Sequence, residues 1–564
     1  MPFRAPTTDF RFILDHVVGF ADVAATDRYA DATPETVDAI LEELGKLMEG
    51  VVAPLNRGGD VQGAVLENGV VRSSPGFAEA FHALGDGGWL GLSASPEHGG
   101  MGLPQTMTVM FNDMMAASCM SLGLNPLLTQ GQIEALEHHA SDEIKAMYIP
   151  KLVTGEWTGT MNLTEPQAGS DVGALKSKAE PNGDGSYAIS GQKIYITWGD
   201  HDFGGNVCHL VLARLPDAVA GVKGISLFMV PKFLPNADGS LGEANSLKVV
   251  SLEHKMGIHG SPTCVMQYDG AKGWLVGAPH KGMAAMFTMM NNARLNVGVQ
   301  GVGVAEAAYQ HALAYAKDRQ QMGPIIQHAD VRRMLLTMKA ETFASRAIAM
   351  ACGTAIDMAT ATGEPEWNAR AALLTPIAKA FGSEAGMRVA EHGVQIFGGM
   401  GFIEETGAAQ YSRDVRITAI YEGTNGIQAM DLVGRKMMDG GEAAFRLLDE
   451  IEAVAEAARG SLPDLAAPVW EASESLREAV EWLVSQSNMA ERFAGSVPFL
   501  MAFARVLGAH YHLKAAMAEG GEGARSKLAR FYIGRLLPEH AAFLEHARAG
   551  ADDLYAFTLE DFAA

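Results

Sequence analysis

Between residues 35 and 150 the apolar residues recur at helical spacing. Pro34-Glu35-Thr36 opens one such segment, and Val37, Ile40, Leu41, Leu44, Leu47 and Met48 follow at that period. A glycine-rich turn, HGGMGLP, occupies 98–104, and the Met- and Ala-rich stretch from Met107 to Met120 predicts a buried helix. At about residue 158 the pattern changes. The short apolar runs YAISGQKIYIT, VCHLVLARL, GISLFMV, SLKVV and TCVMQY alternate with Gly, Asp and Asn turns, which predicts β-strands. From about 281 the helical period returns. Ala305 to Ala316 and Val331 to Ala359 are Ala-rich and free of proline, with Leu335, Met338, Phe343, Ile348 and Met350 as an apolar set. A last helical region begins near Gly440, and Pro463, Pro468, Pro498 and Pro538 are expected to break it.

Helices, then strands, then helices make an α+β arrangement. The expected division is an N-terminal arm (1–35), an N-terminal helical domain (36–158), a middle β domain (159–280), a helical catalytic domain (281–439) and an extra helical C-terminal domain (440–564). The alternating βα rhythm of a dinucleotide-binding sheet is missing, and so is GxGxxG. GxSxG and HExxH are absent too, which removes the commonest hydrolase signatures.

Composition narrows the classes further. The hydrophobic share of 48% and charged share of 19% fit a globular enzyme with a large core. A net charge of -23 repels phosphate backbones, so nucleic acid is not an expected partner, while one phosphorylated small molecule remains compatible. The four cysteines form no CxxC pair; neither a disulfide framework nor a metal site is expected, and a reducing cytoplasm fits. The first residues, MPFRAPTTDFRFILDHVV, carry Asp9 and Asp15 among the apolar positions and do not read as a signal peptide. No uncharged apolar run approaches about 18 residues, so no membrane span is expected.

Six segments carry chemistry: LTEPQAGSDVGALKSKA (163–179), GQKIYIT (191–197), KMGIHGSPT (255–263), AKDRQQMGPII (316–326), VQIFGGMGFIEE (394–405) and RDVRITAIYEGTNGIQ (413–428). Small residues beside hydroxyls in the first can hydrogen-bond an electron-rich ring edge. Tyr195 offers an aromatic face, Arg319 a guanidinium suited to a pyrophosphate, and Gly398-Gly399 a backbone open to close approach. Glu422 stands before Gly423, which lets the chain turn; a desolvated carboxylate there would be an effective base.

In this order the segments resemble the acyl-CoA dehydrogenase family over residues 40–440. The resemblance implies FAD as cofactor and an acyl-CoA thioester as substrate. Glu422 would remove the α-proton, flavin N5 would accept the hydride, and the Glu422 N–H would bind the thioester carbonyl. It further implies FAD contacts by Leu163, Thr164, Gly169, Ser170, Tyr195, Thr197 and Thr424, and substrate contacts by Ser170, Arg294 and Gly423. Arg319, Gln395 and Gly399 would reach the FAD of a neighbouring subunit, so a homo-oligomer, dimer or dimer of dimers, is expected. An electron-transferring flavoprotein is the expected acceptor. Tyr195 stands where the family usually has Trp, and Gln321-Met322 replaces the usual Thr-Phe. Some members carry the base just before Arg294; here that residue is Ala293, which cannot act as one.

The length beyond residue 440, the start MPFRAP and GVKGISLFMVPKFLPN (221–236) resemble a longer bacterial subgroup. Its substrates include 3-methylmercaptopropionyl-CoA, from dimethylsulfoniopropionate breakdown, and it has long-chain members of broad range. Met283, Met286 and Met290, spaced by three and four residues, share one helical face; they either pack as plain core or, with Met114 and Met115, line a short apolar acyl slot. The alternatives are a broad medium- to long-chain dehydrogenase, a flavin oxidase, and a nucleic-acid-binding flavoprotein of the same fold. The excess of acidic residues after Asp439 argues against the last.

Overall fold

The computed structural model describes residues 3–563. Packing divides the chain into two units, each assembled from separated stretches of sequence. One, here the helical unit, comprises Met1–Gly45, Pro104–Ala117 and Arg294–Ala564; the other, the sheet unit, comprises Lys46–Leu103 and Ser118–Ala293.

The sheet unit opens with a small hairpin, β1 (Val65–Glu67) and β2 (Val70–Arg72), inside the stretch predicted to be helical. Asn68 and Gly69 both have positive φ, 51° and 78°, as a tight hairpin turn requires. Three-residue strands are too short to display a period, which is why the pattern missed them. The main strands are β3 (Trp157–Asn162), β4 (Lys178–Pro181), β5 (Tyr187–Thr197), β6 (Asn206–Arg214), β7 (Ile225–Pro231), β8 (Phe233–Pro235), β9 (Leu241–Ala244), β10 (Leu247–Leu252) and β11 (Thr263–Val276). β11 pairs with both β5 and β7, β7 with β6, and β4 with β5 and, at one position, β6. These five strands therefore close on themselves.

β6 and β7 are buried on both faces, which explains their nearly unbroken apolar sequences. Val211, Ala213, Phe228 and Val230 pack with Ile189, Met266 and Tyr268. Alternate residues Cys208, Leu210, Leu212, Leu227 and Met229 face the other way, onto Ile133, Leu136, Tyr148, Ile149, Met286 and Met289 from helices. The helix Gln105–His139 is broken at Cys119, where φ is −158° and ψ 90°. Beyond the break, the Ser121 carbonyl accepts a hydrogen bond from the Trp198 indole at 3.1 Å.

In the helical unit, the part of helix Gly282–Asp318 from Arg294 onward packs on helix Pro365–Phe397 along a seam of glycines. A methyl group at Gly301 would overlap the Gly382 carbonyl oxygen, and one at Gly298 would overlap that of Ala378; one at Gly386 would sit 2.7 Å from the Gly301 oxygen. Backbone lies directly on backbone. Helix Ala329–Thr362 packs alongside, and its Glu341 carboxylate is buried between two cations, Arg388 at 2.9 Å and Arg505 at 2.8 Å. Arg505, fully buried, also reaches Glu539 at 2.7 Å. Arg505 lies on helix Ser496–Ala518 and Glu539 opens helix Glu539–Ala547, so the C-terminal region is fastened to the bundle by buried charges. The N-terminus is fastened as well: Asp9 pairs with Arg525 at 2.6 Å, and the Arg346 guanidinium lies 4.9 Å over the Phe10 ring.

Two of the four expected proline breaks are absent. Pro463 starts helix Pro463–Ser485 and Pro538 precedes helix Glu539–Ala547, but Pro468 and Pro498 lie within helices. Pro498 falls in a first turn, where its missing N–H would have no intrahelical partner; Pro468 forfeits a single bond one turn later.

The seam makes a direct prediction. Gly301→Ala must push two backbones apart and should cost about 1–3 kcal/mol, as overpacked cores do. Thermal melting should register a drop of several degrees, whereas Gly460→Ala, in open space, should melt like wild type. Equal melting temperatures for the two variants would show that the helices do not meet as described.

Candidate active site

Glu422 lies in the helical unit between the short helix Arg416–Ala419 and the helix Asn425–Asp431. Its φ is 57° and that of Gly423 is 85°, so two consecutive residues turn through the left-handed region. For a glutamate that conformation costs of order 1–3 kcal/mol and persists only where neighbours hold it. The neighbours are identifiable. The Glu422 carbonyl accepts from Arg294 Nε at 3.4 Å and from Gln428 Nε2 at 3.1 Å. Thr424 Oγ1 accepts from the Ile427 N–H at 3.2 Å and caps the next helix. Tyr421 donates its hydroxyl to Gln300.

The carboxyl of Glu422 keeps part of its residue surface open but is crowded by protein. Lost hydration pushes it up to about 7, from an ordinary 4.5, against the opposing pull of Arg294 and Lys379. Arg294 is itself buried and shifted downward by burial. Lys379 is buried too, and burial brings it to about 8 while Glu422 and Glu384 pull it upward. A carboxyl near neutrality, flanked by cations and held on a strained turn, has the properties of a general base. Lys379 was not a sequence candidate: a single lysine in IAKAFGSEAG reads as a solvated helix position.

Arg319, Gln395 and Gly399 are exposed, at the ends of helices Gly282–Asp318 and Pro365–Phe397. Side chains added at Gly398 or Gly399 would meet nothing within 4 Å. Apolar side chains beside them are also open: Met322 is 97% exposed and Phe402 87%.

The sheet unit carries the other expected contacts. Leu163 and Thr164 follow β3, half-buried, and Gly169 and Ser170 are exposed. The loop is bolted to β5. Glu165 accepts from Lys193 Nζ at 2.8 Å, Ser177 Oγ at 2.6 Å and the N–H groups of Lys176 and Ser177 at 2.7 and 3.0 Å. Lys193 Nζ also donates to the Leu163 carbonyl at 3.0 Å, and the Ile194 N–H to that of Thr164 at 3.0 Å. The register between β5 and β11 slips by one residue next to Tyr195, whose φ is 60°. This bulge turns the Tyr195 ring outward, 60% exposed, within the same loop-and-strand arrangement as Thr164 and Thr197. Hydroxyls, an open glycine and an outward aromatic form a donor set and surface that fit a flavin.

The methionine stripe divides. Met286 and Met289 are fully buried among core residues of the sheet unit, while Met283 and Met290 are partly buried against that core. Met286 therefore fills core rather than an open slot. Met114 and Met115 are buried in the helical unit.

Comparison with known proteins extends along the chain. Models of the acyl-CoA dehydrogenase N-terminal, middle and C-terminal domains match residues 34–156, 160–271 and 280–438, and an "acetyl-CoA dehydrogenase C-terminal like" model matches 447–558. A 3-methylmercaptopropionyl-CoA dehydrogenase of Ruegeria pomeroyi is 47% identical over 520 residues, 89% of this chain and 88% of the relative. A butyryl-CoA dehydrogenase of Syntrophomonas wolfei is 37% identical over 76% of this chain and 74% of its own length. Among solved structures, an acyl-CoA dehydrogenase complexed with FAD from Bacillus anthracis superposes with a TM-score of 0.77 at 21% identity, covering 95% of this chain and 91% of that one.

The buried Glu165–Lys193 pair predicts a pH dependence. Its partners hold the Glu165 carboxyl at about 2, below its ordinary 4.5, despite burial. A carboxylate depressed on folding stabilises the fold above its unfolded value and loses that contribution as pH falls toward the folded one. Glu165→Gln should therefore melt well below wild type at pH 6, with the gap narrowing as pH is lowered from 5 toward 3. A gap that stays constant across this range would mean that the Glu165 charge contributes nothing.

Proposed function

We propose, since this chain belongs to the acyl-CoA dehydrogenase family, that it acts on a short acyl-CoA thioester, 3-methylmercaptopropionyl-CoA foremost, with Glu422 as its base. The protein is an FAD-dependent oxidoreductase acting on a CH–CH bond. When bound, FAD supplies the acceptor for the β-hydrogen, taken up as hydride at flavin N5. The chain's own residues do the rest. Glu422 takes the α-proton, its N–H donates to the thioester carbonyl oxygen, and Arg294 and Lys379 offset the negative charge nearby. The product is the 2-enoyl-CoA. The single observation that carries the base assignment is the Glu422 carboxyl set on a left-handed turn that Arg294 holds at the Glu422 carbonyl and buried Lys379 holds at Asn425.

Leu163, Thr164, Gly169, Ser170, Tyr195 and Thr197 are assigned to FAD, with Ser170 also near the CoA thioester arm and Gly423 beside substrate. Thr424, which already accepts the helix-capping bond, retains its hydroxyl proton for the cofactor. Arg319, Gln395 and Gly399 are assigned to the FAD of a second copy. The open Met322 and Phe402 side chains nearby support a homo-oligomer. Electrons pass on to an electron-transferring flavoprotein. The substrate assignment follows the Ruegeria pomeroyi relative, and with it a place in dimethylsulfoniopropionate breakdown. No helix among the described residues is long and apolar enough to cross a membrane.

Steady-state turnover with an artificial electron acceptor tests the chemistry. Wild type should favour four- or five-atom acyl chains in kcat/KM, with an acidic limb near pH 7. Glu422→Gln should lose about 10²-fold or more in kcat while still binding acyl-CoA. Near-normal turnover by that variant puts the base elsewhere. Palmitoyl-CoA turning over as efficiently as butyryl-CoA would replace the short-chain reading with a broad one, and peroxide release under air without acceptor would replace dehydrogenase by oxidase. The assembly is checked separately: light scattering should give at least twice 59.9 kDa, and an active, flavin-loaded single chain would contradict the shared FAD site.

A further inference from the structure

The helix Pro365–Phe397 brings more than packing to the base. Lys379 Nζ, with no exposed surface, donates to Asn425 Oδ1 at 2.9 Å. Ser383, one turn along the same helix, donates its hydroxyl to the same oxygen at 3.1 Å. Asn425 Nδ2 in turn donates to Glu384 Oε1 at 2.8 Å. Three residues of one helix thus grip the side chain of Asn425, the first residue after the Glu422-Gly423-Thr424 turn. The far side of that turn is held through the Glu422 carbonyl by Arg294 and Gln428. The backbone of Lys379 cannot drift, because its Cα lies on the glycine seam, where a side chain at Gly298 would come within 2.9 Å of it.

We propose that Lys379 is a positioning residue for Glu422: through Asn425 it fixes the turn on which the glutamate stands, and its buried ammonium is a second cation acting on the carboxyl through charge. The inference rests on the reading of Glu422 as base. The geometry explains why an isolated lysine is worth burying in an apolar helix interface. An ammonium without compensation there would be costly; Asn425, Glu384 and Glu422 together provide it. The groups facing the carboxyl are Arg294 from one helix and Lys379 from the other, with Glu384 beside Lys379, Tyr421 adjacent in the chain, and Asp431 and Arg435 acting on Arg294. Removal of Lys379 leaves burial opposed by Arg294 alone. The sign follows: a lost cation makes the carboxylate form harder to reach, so Glu422 stays protonated to higher pH.

The test is the pH profile of kcat/KM for Lys379→Met, which keeps the apolar stem and removes the charge. The acidic limb should move up by roughly one pH unit, so that the variant's deficit is largest at low pH and shrinks as pH rises. Lys379→Arg should return the limb toward wild type. A second readout needs no turnover: the infrared difference spectrum between each protein and its Glu422→Gln derivative follows titration of this one carboxyl and should show the same displacement. Flavin absorbance reports folding, and Lys379→Gln reads the same shift should the methionine variant not fold. A uniform loss of kcat with an unmoved limb and an unmoved infrared titration would reduce Lys379 to a packing residue and overturn the proposal. That outcome is distinct from failure of the base assignment, in which Glu422→Gln itself would remain active.

Discussion

The arrangement around Glu422 depends on two helix backbones lying closer than side chains allow. Helix pairs ordinarily sit 8–10 Å apart. Gly298 and Gly301 on one helix, and Gly382 and Gly386 on the other, remove the spacers. Arg294 is one turn before Gly298 and Lys379 one turn before Gly382, so both cations project from the seam's own faces. Lysine and arginine would each be expensive to bury singly. Set on either side of one carboxylate-bearing turn, they share their compensation. The same seam limits what the two helices can accommodate, because no larger residue fits without moving a backbone that also carries a charge.

Around this seam the protein balances three opposed effects at one residue. The left-handed turn destabilises Glu422 locally; hydrogen bonds to its carbonyl hold it there. Burial drives its carboxyl toward the neutral form, and two cations drive it back. The sheet unit solves a similar problem differently. Glu165 is buried as well, but four neutral donors, Gln167 Nε2 at 2.7 Å among them, and one ammonium keep it ionised, and it acts as a bolt for the loop rather than as a titrating group. The contrast lies in hydrogen bonding: Glu165 accepts from nearby N–H and O–H groups, whereas the cations near Glu422 act on it chiefly through charge.

Much of this was legible in the sequence. The alternating apolar runs marked the strands, and YEGTNG marked the glutamate and its turn, because glycine after an acid in a structured segment signals an unusual backbone. Glu422 itself in the left-handed region was not legible; that conformation is imposed by Arg294 and Gln428, from other parts of the chain or the next helix. Lys379 was hidden for the same reason, since its partner Asn425 is 46 residues away. The Tyr195 bulge depends on a register between β5 and β11 that neither strand reveals alone. The methionine stripe was read correctly as one helical face, but a face does not announce whether it meets core or cavity, and Met286 met core.

The pairing of Asp9 with Arg525, and of Phe10 with Arg346, has a consequence for how this chain comes into being. The helical unit is discontinuous: its first residues wait for its last. A ribosome delivers the chain from the N-terminus at about 5–20 residues per second, so the first helix waits through 516 residues of synthesis for the arginine that pairs with Asp9. Most of the sheet unit, by contrast, lies in 118–293 and is available well before the chain is finished. Glu341 emerges long before Arg505, its buried partner. Arg505 and Arg525 are therefore closing pieces of the helical unit: until they emerge, Asp9 lacks its ion-pair partner and Glu341 has Arg388 alone.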